Sequence, residues 1–154
     1  MIGMKKATTS CFVPFVDVLN DLYDCSASSN GYCDSNPICP EVRLRGMIVD
    51  YFDVTVYGGP HAITIEDEDG YRVEATIWPE EWDIAADDTS NYLITPPYNR
   101  FLLETRGSVF EYDGEKQILI CSPSDFFVIR LNLSIICFIV SNFFFLKQFP
   151  VTFL

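Results

Sequence analysis

The sequence predicts a mainly β chain, a five-stranded Greek-key barrel with one short helix between strands three and four. Three observations lead there. Residues 41–125 hold five segments in which apolar and polar side chains alternate, the period of a half-buried strand. Asp69-Gly70 and Asp113-Gly114 punctuate them, and a tight hairpin needs the positive-φ residue that such pairs supply. The two longest segments each carry an internal glycine, Gly46 and Gly107, which lets a long strand bend and stay paired as a sheet curls.

Strand one alternates Val42, Leu44, Gly46 and Ile48 against Arg43, Arg45, Met47 and Val49. Strand two sets Ile63 and Ile65 against Ala62 and Thr64. Strand three places Tyr71, Val73, Ala75 and Ile77 on one face and Arg72, Glu74, Thr76 and Trp78 on the other. The helix follows. Pro79 suits its first turn, and Glu80 and Glu81 sit where the helix dipole favours negative charge. A long connection leads to strand four around Gly107, and the second hairpin closes with strand five around Gln117 and Ile118. Arg45–Tyr51 and Arg106–Tyr112 echo each other as Arg-Gly-x-(Ile/Val)-x-(Asp/Glu)-Tyr. Seven residues are too few for a repeat; the echo marks two strands bent in the same way.

Bent first strand, hairpin, helix, bent fourth strand and fifth strand together resemble the OB-fold. The last hairpin resembles a subclass that reads Gly-x-(Val/Ile)-x-x-(Tyr/Phe)-x-Gly-x-x-Gln-(Ile/Val), here Gly107, Val109, Tyr112, Gly114, Gln117 and Ile118. The resemblance covers a little over half the chain. It implies a binding module for single-stranded nucleic acid or an oligosaccharide, or an accessory module of exported bacterial proteins. A fold by itself licenses none of these activities. The outward side of the first three strands offers Arg43, Arg45, Tyr51, Thr64, Arg72, Thr76 and Trp78 as candidate ligand-binding residues. Aromatics beside cations, Trp78 with Arg72 and Tyr51 with Arg45, would make a stacking platform. The competing reading makes the tryptophans plugs, with Trp78 covering the barrel mouth and Trp82 beneath it beside Ala85 and Ala86.

Charge narrows the partners. The 154 residues carry a formal net charge of −12, and all of it falls in 41–125, where six Lys/Arg face eighteen Asp/Glu. Such a polyanion is repelled by phosphates unless its arginines share one face. This favours a second class of function, an acidic interaction or spacer domain of a larger exported protein, over nucleic acid, and is neutral on glycans. Catalysis ranks third. His61 is the sole histidine and reads as structural; the carboxylate pairs Asp50/Asp53 and Glu80/Glu81 lack a recognisable nucleophile or base. Asp67, Asp69, Asp87 and Asp88 do not follow the EF-hand ligand pattern, and no cofactor is implied.

The ends differ from the centre. Residues 1–40 read as an irregular Cys-, Ser- and Asn-rich segment. Its run from Cys11 to Val16, broken by Pro14, reads as an apolar strand or short helix rather than an export signal. Cys25, Cys33 and Cys39 lack the close Cys-x2-Cys of zinc knuckles. In an exported protein they would hold one disulfide within that loop, while Cys121 and Cys137 read as buried thiols. Residues 126–154 form an apolar tail with sixteen uncharged residues between Arg130 and Lys147. It reads as a membrane anchor, a core element or an out-of-frame end, and the expectation is that the barrel folds without it.

Overall fold

The computed structural model describes residues 11–20, 22, 23, 33, 41–88 and 93–132. The predicted strands all form: β1 (Glu41–Asp53), β2 (His61–Glu66), β3 (Arg72–Ile77), β4 (Phe101–Tyr112) and β5 (Glu115–Ile120). The helix α2 (Pro79–Asp87) lies between β3 and β4, and a short helix, α1 (Phe15–Leu19), precedes the barrel. β1 pairs antiparallel with β2 and β4, β2 with β3, and β4 with β5. A parallel ladder from Glu74↔Gln117 to Ile77↔Ile120 joins β3 to β5. The ring β1-β2-β3-β5-β4 therefore returns to β1, which makes this an OB-like barrel.

The bends fall where the sequence places them. β1 pairs with β4 up to Met47 and with β2 from Met47 onward, so it changes partner beside Gly46. A Cβ on Gly46 would lie 2.8 Å from Phe15 Cζ and 2.9 Å from the Glu66 carbonyl oxygen. The register then slips between Ile48 and Asp50, a bulge that coils the strand further. β4 makes the matching exchange, from β1 to β5, at Gly107 and Ser108. The second hairpin turns through Asp113 and Gly114, with φ of 52° and 82°. In the first hairpin Asp67 organises the turn: its carboxylate accepts from the amides of Asp69 and Tyr71.

Inward-facing Val42, Leu44, Ile48, Ile63, Ile65, Val73, Ala75, Ile77, Leu103, Val109, Ile118 and Ile120 are almost wholly excluded from solvent. Each of the Val, Leu and Ile side chains contributes roughly 1.5–3 kcal/mol by burial. The two ends of the barrel are filled separately. Trp82 and Ala85 of α2 pack where β2 begins, and Phe15 and Val18 of α1 pack where it ends. The Phe15 amide donates to Asp67 and the Val13 amide to the Arg43 carbonyl, which tie α1 to the strands.

Three expectations are corrected. Residues 1–40 are not irregular throughout, because α1 supplies core side chains. Cys33 pairs with Cys121, a bridge across 88 residues, rather than with a cysteine of its own loop. Cys121, which directly follows β5, is therefore not a thiol. Cys25, Cys39 and Cys137 lie outside the described residues. Finally, the barrel does not stop at 125. A sixth strand, β6 (Phe126–Arg130), continues along the edge of β4 that β5 has left, from Thr105↔Phe126 to Phe101↔Arg130. Phe126 and Val128 enter the core because they face the same way as Phe101 and Leu103. The anchor and out-of-frame readings concern mainly residues 133–154, which lie outside the described residues. Among the described residues no helix is long and apolar enough to cross a membrane.

Candidate binding groove

The outward face of the barrel is set by register. Across the strands, one row runs Phe52, Ala62, Thr76, Leu119 and Ser108. The next runs Asp50, Thr64, Glu74, Gln117 and Phe110. Over these rows lies a groove of about 390 Å³, floored by Ala62, Glu74, Thr76 and Gln117. Trp78, Phe110 and Tyr112 wall one part of it, and the loop of residues 54–60 the other. The volume is in the range of small-ligand sites.

The loop holds itself in shape. Asp53 accepts from the Thr55 amide at 2.9 Å and from its hydroxyl at 2.5 Å. The Tyr57 and Gly59 amides both donate to the Val54 carbonyl. Gly58 takes φ of 76°, a conformation glycine adopts without penalty. The result presents Tyr57, 82% exposed, at the groove.

Among the described residues Glu74 is the only charged one lining the groove. Burial raises its pKa above the ordinary value, and the nearby Glu115 carboxylate adds to the effect. Gln117 Nε2 donates to Glu74 Oε1 at 2.5 Å, so an amide and a carboxyl group lie abreast on neighbouring strands. Thr76 contributes shape rather than polarity, since its hydroxyl donates to the Ile118 carbonyl at 3.3 Å. At Glu74, Tyr112 and Gln117 the groove meets a second cleft of about 410 Å³, lined also by Thr64, Arg72 and Lys116.

The seven candidate residues do not share one surface. Thr76 and Trp78 line the groove, and Thr64 and Arg72 line the adjoining cleft. Arg72 is engaged by Glu66 at 2.6 Å. Arg43 and Arg45 face outward on the β1–β4 side instead. Their guanidinium carbons sit 4.9 and 4.2 Å from the centre of the Phe12 ring, and Arg45 also pairs with Glu104 at 2.5 Å. Neither expected aromatic–cation platform is made as pictured: Tyr51 is stacked away from Arg45, and Arg72 turns to Glu66.

Tyr51 belongs to the barrel end. Its ring stacks on Trp82 at 5.5 Å, His61 stacks on Trp82 at 4.1 Å, and Phe126 meets the indole edge-on at 5.4 Å. Tyr51 Oη and His61 Nδ1 share a hydrogen bond of 2.8 Å. Burial pushes the Tyr51 phenol up to about 12, helped by the Asp53 charge. Burial also lowers His61 below its ordinary value, against the opposing pull of Asp53 and Asp83. An imidazole stacked on Trp82 and hydrogen-bonded to Tyr51 has the packing of a structural group. The tryptophans thus divide, with Trp82 plugging the barrel and Trp78 lining the groove.

Phe110, Tyr112, Gln117 and the 54–60 loop were not among the candidates. Placing β4 and β5 beside β3 on one face requires the parallel closure, which alternation within a strand does not reveal. The hairpin motif containing Tyr112 and Gln117 was the available signal, read there as a feature of fold alone.

Among the described residues no three His, Cys, Asp or Glu side chains gather to hold a metal. No family model matches the chain, and no curated protein matches it. Among solved structures, it is similar to the crystal structure of the S. pombe Stn1-Ten1 complex, at 14% identity and a TM-score of 0.42. That match covers 66% of this chain, which spans 65% of the other chain's length.

Proposed function

We propose that this chain is a non-catalytic OB-type binding module whose ligand lies in the groove outside β2, β3 and β5, and that the ligand is a glycan rather than single-stranded nucleic acid. The observation that carries the reading is the lining: among the described residues, four aromatic side chains, one carboxyl group beside one amide, and no cation. A sugar ring has an apolar face and a polar rim, and such a site offers surfaces for both. A nucleic-acid strand brings a phosphate at every step and needs cations along its path. The arginines nearest to forming such a path, Arg43, Arg45 and Arg106, lie round the barrel, where Arg45 pairs with Glu104 and Arg106 with Glu41 and Asp125.

Titration of the full chain with neutral oligosaccharides and with an oligothymidine, each at two salt concentrations, tests this. The reading expects salt-insensitive glycan binding that Trp78→Ala removes. Oligonucleotide binding that weakens steeply with salt would overturn it, because that slope counts displaced counterions.

A second reading, the interaction or spacer domain of a larger exported protein, draws support from the Cys33–Cys121 bridge. Disulfides persist in oxidising compartments and are rare in reducing ones. It expects no response to any oligosaccharide, together with a bridge that is intact in material isolated from cells under thiol-blocking conditions.

A further inference from the structure

We infer that the groove selects a sugar carrying a protonated amine, held at the Glu74 carboxylate among Tyr57, Trp78 and Tyr112. The inference rests on the glycan reading and goes beyond it by naming the ligand's charge. Three observations converge on Glu74. First, its carboxylate is half-buried at the floor of the groove, and among the described residues its hydrogen-bond partner is Gln117, through Oε1. A carboxylate withdrawn from water without a cation is expensive, so the bound state is improved by any ligand that supplies one. Second, the cations nearest in sequence register are directed elsewhere: Arg72 pairs with Glu66, and Lys116 approaches Glu111 at 3.1 Å. Third, Tyr57, Trp78, Phe110 and Tyr112 line the same groove, and ring quadrupoles attract an ammonium group that has left bulk water. The whole chain, at −12, draws cations towards it at long range and repels anionic sugars.

The raised Glu74 pKa agrees with this geometry, since a neighbouring ammonium would return the group to its charged form. A sugar suits the site better than a lysine-bearing peptide. The groove opens into the second cleft at Tyr112, giving width for consecutive rings, and Gln117 stands ready for a neighbouring hydroxyl.

The test is calorimetric titration of the full chain with a hexamer of β-1,4-linked glucosamine with protonated amines, its N-acetylated counterpart, a neutral glucose hexamer and an oligolysine. The amino hexamer is expected to bind at least about tenfold more tightly than the other two sugars, as a charged hydrogen bond implies. Glu74→Gln keeps a partner for Gln117 and is expected to reduce that preference to about onefold while neutral-sugar binding survives. Asp87→Asn, on exposed α2, is expected to preserve the preference, which separates a local carboxylate from the general polyanion. Equal binding of the three sugars overturns the inference and leaves the glycan reading standing. A preference that survives Glu74→Gln, or oligolysine binding of equal strength, also overturns it. If no sugar binds, the glycan reading falls and takes the inference with it.

Discussion

Gly107→Ala probes the closure of the barrel. A Cβ at this position would press on the Leu119 carbonyl oxygen, and it would lie 2.7 Å from Ile118 Cγ2 and 2.9 Å from the Leu119 carbonyl carbon. The obstacle is chiefly backbone, so no rotamer change relieves it. Leu119 belongs to β5, whose parallel pairing with β3 closes the ring. Overpacking costs about 1–3 kcal/mol in tolerant cores, and a backbone obstacle puts this site at or above the top of that range. Alanine recovers roughly 0.4–1 kcal/mol by restricting the unfolded chain, leaving a net loss of about 2–3 kcal/mol. With a urea m-value of roughly 1–3 kcal/mol/M, the unfolding midpoint should fall by about 0.7–3 M. Gly58→Ala is the control. It has no neighbouring atom within 4 Å and pays only for its left-handed backbone, about 1 kcal/mol. If Gly107→Ala unfolds at or above the midpoint of Gly58→Ala, β4 does not pass β5 as described.

Truncation after Asp125 removes Phe126 and Val128 from the core and should destabilise by roughly 3–6 kcal/mol, visible as a large drop in melting temperature; an unchanged melting temperature would show that β6 is dispensable. Reducing the Cys33–Cys121 bridge frees an 88-residue loop, for which chain entropy gives a loss of up to about 4.6 kcal/mol. Equal denaturation midpoints with and without reductant, in protein confirmed to carry the bridge, would contradict that. Stability should also depend on His61 with a defined sign. Its folded pKa lies below 6.5, so its contribution is complete above that pH and is lost as pH falls from 6.5 through the folded value. Across this window, urea unfolding should show wild type losing stability relative to His61→Phe as pH falls, because phenylalanine does not titrate; a flat difference refutes the burial argument.

Much of the barrel was legible because its signals are local. Gly46, Gly107, Asp69-Gly70 and Asp113-Gly114 each impose a bend or turn wherever they occur, and alternation then assigns the core face. The ends of the barrel were harder to read. Phe15 and Val18 come from a five-residue helix too short to show a period, and their value lies in the hole they fill. β6 was hidden because Phe126, Phe127, Val128 and Ile129 are apolar on both faces and merge with the run that follows. The groove was half legible. Trp78 and Thr76 follow from alternation in β3, whereas Phe110, Tyr112 and Gln117 join them only through strand closure. Arg43 and Arg45 were misplaced because the outward side of a barrel is not one surface: the first half of β1 faces out beside β4 and the second half beside β2.

The division of labour between the two tryptophans is the central claim, and their indole N–H signals report on it separately. In a heteronuclear NMR titration of the full chain with oligosaccharide, the account predicts a saturable shift of the Trp78 indole signal with the Gln117 side-chain amide, while the Trp82 signal stays in place. Binding that moves Trp82 and leaves Trp78 and Gln117 unchanged would contradict it.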